Sequence, residues 1–314
     1  MFVLKPLTES KSTSRNLKEI LKSHPLTSFF VMAYLFSWIV LIPFILSQWN
    51  IIPKAKIFDV FFGLNAFVGP MLATYIMIRT LEGKGAWRVF TKGIWKLKVG
   101  LKWYFFALIV IPTVIYLGFV MLNGGIPTSK GLTTQFYATY PIYLVVVFFF
   151  GGPFPEEISW RGFALPRMQS KFGSLKATLL LGILWAFWHL PHFLTAAQRG
   201  GPGSNISLLY YDLPIFIVLC LAASIILTWV FNSKQGNLFI VMLVHASLNT
   251  FSFIQPHFTN PTLKESDLSV CLGLGLFALI ILIFTKGKLG YKQSSPEVEL
   301  GNQENLKQTN AIVE

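Results

Sequence analysis

The chain has 314 residues, of which 54% are hydrophobic and only 12% charged, with a formal charge of +13 and a mean hydropathy of +0.59. An average globular protein is about 25% charged, so this composition suits lipid rather than water as the solvent. The basic residues lie between apolar runs and build no face of their own, which excludes the clustered patch of a nucleic-acid-binding protein.

Residues 1–25 are polar and too long for the leading part of a cleavable signal, and they read as a cytoplasmic segment. Apolar runs then predict membrane segments at Leu26–Leu46, Ile57–Ile78, Trp103–Met121, Tyr137–Gly151, Leu175–His189, Leu213–Phe231, Leu238–Phe253 and Leu268–Phe284. Several fall short of the roughly 20 residues a straight span requires, so tilting or continuation past Pro and Gly is expected. The expected fold is all-α: about eight transmembrane helices in one polytopic domain over 26–286, with both termini on one side. Placing the N-terminus in the cytoplasm puts 21 of the 26 Lys and Arg on that side and five on the other, in accord with the positive-inside rule.

Between the second and third segments, residues 79–102 are basic with interleaved Trp87, Phe90, Ile94 and Trp95, the pattern of a helix lying on an anionic membrane surface. Asp59 is expected at the interface. Cys220 and Cys271 read as small buried hydrophobes, since neither has a partner at metal-ligand spacing. Residues 287–314 read as a polar cytoplasmic tail of the kind that composition places among disordered segments.

Within the apolar stretches stand polar groups that lipid tolerates only at a cost, which makes each a functional-site candidate. The first set is Pro155-Glu156-Glu157-Ile158-Ser159-Trp160-Arg161-Gly162. On a helix Glu157 and Arg161 are four apart and can pair, whereas Glu156 points about 100° away and is left unpaired by its near neighbours. Taken alone, acids just after Pro153 and Pro155 also fit an ordinary helix start. The second set is Trp185-Ala186-Phe187-Trp188-His189, and the third His245-Ala246-Ser247-Leu248-Asn249, whose spacing puts imidazole and amide on one helix face. Each of these alone is as consistent with interhelical hydrogen bonding as with chemistry. A helix descending from Pro155 to Ser170, a turn near Gly173 and a helix rising from Leu175 return His189 to about the depth of Glu156, within reach of His245 in a common cavity. His192, beyond the register break at Pro191, reads as an interfacial residue, and His24 and His257 as loop residues without partners.

Glu156-Glu157-x-x-x-Arg161, Trp185-x-x-x-His189 and His245-x-x-x-Asn249 together resemble the three ordered motifs of the CPBP intramembrane proteases, which include CAAX-prenyl endopeptidases and relatives linked to bacteriocin processing and immunity. The resemblance covers about 137–254 and departs mildly at Trp185, where Phe is more usual. It implies peptide-bond hydrolysis in the membrane: Glu156 as general base on a water shared with His189, His245 and Asn249 stabilising the oxyanion, and Arg161 holding Glu157. The implied partners are the bilayer and a membrane-associated or lipidated peptide or protein, without nucleic acid, and the compact length suits the plasma membrane of a bacterium. No cofactor is favoured, although Glu156, His189 and His245 also make a His₂Glu set of the kind that holds catalytic zinc. The rival classes are a non-catalytic scaffold or immunity protein of the same fold and a proton-coupled transporter. The transporter would more often show inverted repeats and paired broken helices, and the sequence has one such break, at Gly151–Pro155.

Overall fold

The structure, a computed structural model, describes residues 16–123, 134–196, 201–202, 208–251 and 263–292. The expected tail beyond 292, the first 15 residues and His257 lie outside the described residues. Among these the protein is helical and contains no strand. Seven helices are long and apolar enough to cross a membrane: Pro25–Gln48, Ile57–Glu82, Leu101–Leu122, Thr134–Phe172, Ser174–Leu194, Leu209–Ser233 and Asp267–Thr285. An eighth apolar helix, Leu238–Asn249, has 12 residues, about 18 Å, and is too short to span unaided. The protein is thus an all-α integral membrane protein.

Helix Pro25–Gln48 shows why lipid is the solvent. Phe29, Ala33, Ser37, Leu41 and Phe44 form a buried stripe at near four-residue spacing, while Val31, Leu35, Ile39 and Ile42 are exposed. Both faces are predominantly apolar, and the buried one mixes large residues (Phe29, Leu41, Phe44) with small ones (Ala33, Ser37). A helix that is hydrophobic all round belongs in a bilayer.

The long helices are not uniform. Pro112, Pro166 and Pro214 each follow a π-helical turn, at Phe106–Val110, Trp160–Ala164 and Leu208–Asp212, and Pro70 lies inside a fourth, at Phe67–Met71. Proline lacks the N–H of the i→i−4 ladder and crowds the carbonyl one turn back, and a widened turn accommodates both. Pro166 is accommodated in this way, so the helix runs on to Phe172 and reverses at Gly173, whose φ is +76°.

Close crossings depend on glycine. A Cβ on Gly118 would strike the backbone at Ser269 and Gly273, and one on Gly273 would strike the carbonyl of Val114. Gly273→Leu is therefore expected to destabilise the packing of Leu101–Leu122 against Asp267–Thr285 by about 1–3 kcal/mol or more, read as a lower thermal midpoint in detergent. An unchanged midpoint would show that the crossing is not tight.

The segment 79–102 departs from the expected surface helix. Between the flanking helices, which end at Glu82 and begin at Leu101, only Ala86–Lys92 is helical. Ile94 is buried, Trp95 stacks on Phe154 with centroids 5.9 Å apart, and Asn237 donates to the carbonyl of Lys96 at 2.7 Å. The aromatic residues that read as a membrane-facing pattern instead dock the segment against the helices that carry the motifs.

Candidate active site

Glu156 and Glu157 lie in the first turns of Pro153–Ser159, which begins at a break after Phe150 where Gly152 adopts φ +106°. Only glycine takes that conformation without strain. A second reason is steric: a Cβ there would overlap Glu156 Oε1 and lie 3.9 Å from Asn249 Nδ2. The break therefore brings the backbone against the carboxylate.

Glu157 and Arg161 are both fully buried, and Arg161 Nη1 donates to Glu157 Oε1 at 2.9 Å. Arg161 Nη2 donates to Ser224 at 3.1 Å, and the guanidinium lies 4.7 Å from the centre of the Trp185 ring. The pairing expected from i,i+4 spacing is present. Beyond it, His245 Nδ1 approaches the same Oε1 at 2.7 Å, so Glu157 links the first motif to the third. With Nδ1–H committed to a carboxylate, His245 can donate from Nε2 only when both ring nitrogens carry protons.

Glu156 is 5% exposed and is not unpaired: Trp185 Nε1 donates to its Oε2 at 2.6 Å. The partner lies 29 residues away and on another helix, beyond what local spacing could reveal. His189 Nδ1 stands 2.9 Å from the carbonyl of Trp185. A carbonyl only accepts, so Nδ1 carries the proton and the neutral ring presents Nε2 as an acceptor. His189 is within electrostatic range of Glu156 and His245. Asn249 Nδ2 donates to the carbonyl of Gly151 at 3.1 Å, tying the third motif to the break before the first.

Glu156, Trp185, His189, His245 and Asn249 all line one cavity of about 330 Å³. Its apolar walls include Phe216, Leu219, Val270 and Leu274, and Cys220, buried as expected, lies on it. Cys271 is only partly buried. The N-terminal helices close the cavity with Phe62, Gly63, Asn65 and Ala66. They are stitched to the second motif helix by hydrogen bonds in both directions: Trp38 Nε1 donates to Trp188 O at 3.0 Å and Tyr34 to the carbonyl of Leu184, while Trp188 Nε1 donates to Ser37 Oγ at 2.8 Å.

Two cavity residues escaped the sequence reading. His192 is buried rather than interfacial, because Leu190–Leu194 continues as a 3₁₀ turn that folds it inward against His189, ring centroids 5.1 Å apart. Asn65 is buried beside Phe62. Among the described residues His192 Nε2 and Asn65 Oδ1 have no hydrogen-bond partner. A polar residue amid the apolar run 57–78 was the available signal for Asn65, and His189-x-x-His192 spacing for His192. His24 is not without a contact either: its Nδ1 lies 2.9 Å from Ser23 Oγ. Asp59 is exposed in the first turn of its helix, in keeping with an interfacial position.

The zinc alternative requires three ligands to converge on one point. Among the described residues no group of three His, Cys, Asp or Glu side chains does so, although each histidine keeps one ring nitrogen and Glu156 one oxygen outside the hydrogen bonds described.

A buried carboxylate–histidine cavity within a helical membrane bundle is thus built from the segment that the comparisons match: residues 138–251 are similar to the family of Type II CAAX prenyl endopeptidase Rce1-like proteins. Over 195 residues, 59% of this chain and 69% of the relative, the protein is 25% identical to the CAAX prenyl protease 2 of Methanococcus maripaludis. These matches support intramembrane endopeptidase activity.

Proposed function

We propose that the protein is an intramembrane endopeptidase that hydrolyses a peptide bond in a membrane-associated or lipidated substrate, with Glu156 activating the water. The observation that carries this reading is the convergence of three motifs, 29 to 93 residues apart from Glu156 to Trp185 and to Asn249, on one cavity of about 330 Å³. Glu156 Oε1 and His189 Nε2 are both acceptors, the pair needed to hold a water by its two protons and withdraw one as it attacks. His245 and the Asn249 amide stabilise the oxyanion. The proton taken by Glu156 passes to the leaving amine, so the carboxylate is restored at the end of each turnover.

The name of the archaeal relative points to prenylated CAAX substrates, and the apolar wall of Phe216, Leu219, Val270 and Leu274 suits a lipid chain beside the scissile bond. The unit is one membrane domain over 26–286 with its motif-bearing core at 137–254 and both termini cytoplasmic. The distribution of Lys and Arg supports that orientation, and the plasma membrane of a bacterium is the proposed location.

The test is cleavage by purified protein of a peptide panel that includes farnesylated and unmodified Cys-aliphatic-aliphatic-X sequences and membrane-spanning peptides, with and without a zinc chelator. Cleavage that resists the chelator and is lost in Glu156→Gln is expected. Chelator-sensitive cleavage would move the chemistry to zinc, and a panel left intact by well-folded protein would favour a binding role for the same fold.

A further inference from the structure

We propose that Trp185 is a positioning residue that fixes the Glu156 carboxylate through its indole N–H, an inference that rests on the reading of Glu156 as the water-activating base. The indole is 5% exposed and is held by site residues on three sides. Its ring lies 4.7 Å from the Arg161 guanidinium carbon, and 5.3 Å and 5.8 Å, centroid to centroid, from His245 and His189. Cation–π and edge contacts of this kind fix the plane of the ring, and with it the direction of its single polar atom. That atom, Nε1, donates to Glu156 Oε2 at 2.6 Å.

The consequence is a division of labour between the two carboxylate oxygens. Oε2 is committed to the indole, whereas Oε1 lies against Gly152, near Asn249. Oε1, on the Gly152 side, is therefore the oxygen with both lone pairs outside the indole contact and the one assigned to take the proton. A glutamate side chain has three rotatable bonds, and without the indole donor nothing on the second motif helix selects among its rotamers. The exchange of Phe for Trp at this position fills similar space but supplies a donor that Phe lacks. It therefore adds a fixed hydrogen bond to the chemistry of this chain.

Trp185→Phe separates the donor from the ring, since phenylalanine keeps an aromatic face towards Arg161 and His245. The expected result is a fall in kcat of about tenfold or more with KM unchanged within twofold, because the lost interaction orients the base and does not bind substrate. The second readout is the indole ¹⁵N–¹H spectrum of the nine tryptophans, with the Trp185 signal assigned by its loss in Trp185→Phe. In Glu156→Gln that signal is expected to move upfield while the other eight stay in place. A kcat within twofold of wild type, a fall in kcat matched by a rise in KM and a lower thermal midpoint, or an indole signal indifferent to Glu156→Gln would each overturn the proposal. Should Trp185→Phe fail to insert, Trp185→Tyr assigns the signal and the response to Glu156→Gln decides alone. Should wild-type protein cleave nothing, the catalytic reading of Glu156 falls and takes the positioning role with it. The indole response still reports whether the contact exists.

Discussion

Glu156→Gln is expected to lower kcat by about 10²–10⁴-fold while leaving the protein folded and inserted. The glutamine is isosteric, and its carbonyl oxygen can still accept from Trp185 Nε1, the bond that holds the wild-type side chain at 2.6 Å. What it cannot do is take a proton from water. The loss should fall on kcat with little change in KM, since the carboxylate contributes to the transition state more than to substrate binding. Purification yield, thermal midpoint and peptide kinetics on the same preparation separate this outcome from misfolding. Activity within tenfold of wild type would remove Glu156 from the role of base.

Arg161→Ala is expected to cost about 3–5 kcal/mol of stability, the largest structural effect of any single change in the site. It leaves Glu157 fully buried with one oxygen shared only with His245 and the other, Oε2, already without a partner. The penalty is that of an uncompensated charge, so removing both charges together should recover much of it: Arg161→Met with Glu157→Leu is expected to be more stable than Arg161→Ala. Activity should not recover with stability, because the double variant also removes the carboxylate that holds His245 Nδ1 at 2.7 Å. Thermal unfolding in detergent beside cleavage assays reads both halves. A double variant as active as wild type would show that Glu157 and Arg161 serve packing alone.

The sequence carried the parts of the site that depend on helix geometry. Glu157 and Arg161 are four residues apart, as are His245 and Asn249, and in each pair the spacing fixes which residues share a face before any neighbour is considered. Counting rise per residue through the reversal at Gly173 was enough to bring His189 back to Glu156, because both helices are regular in length even though one contains a π turn. Seven of the eight expected membrane segments were legible because lipid demands continuous apolar runs, whereas the one expected at Leu238–Phe253 is a 12-residue helix too short to cross unaided.

Tertiary contacts were not legible in that way. Nothing local marks the Trp185 indole as the partner of Glu156, since the contact depends on how two helices cross. A register break at Pro191 does not reveal where His192 goes, because the chain tightens there into a 3₁₀ turn that keeps the ring buried. The basic stretch 79–102 satisfied a membrane-surface pattern, yet Ile94 and Trp95 found a protein surface to cover. Amphipathicity alone does not distinguish the two surfaces.

The most direct measurement is cleavage of a substrate peptide in ¹⁸O-labelled water, with mass spectrometry of both products, for wild type and Glu156→Gln side by side. Hydrolysis with Glu156 as base predicts one ¹⁸O atom in the new carboxyl terminus, at a rate that collapses in the glutamine variant. Cleavage at equal rates by both proteins, or a product that carries no solvent oxygen, would contradict it.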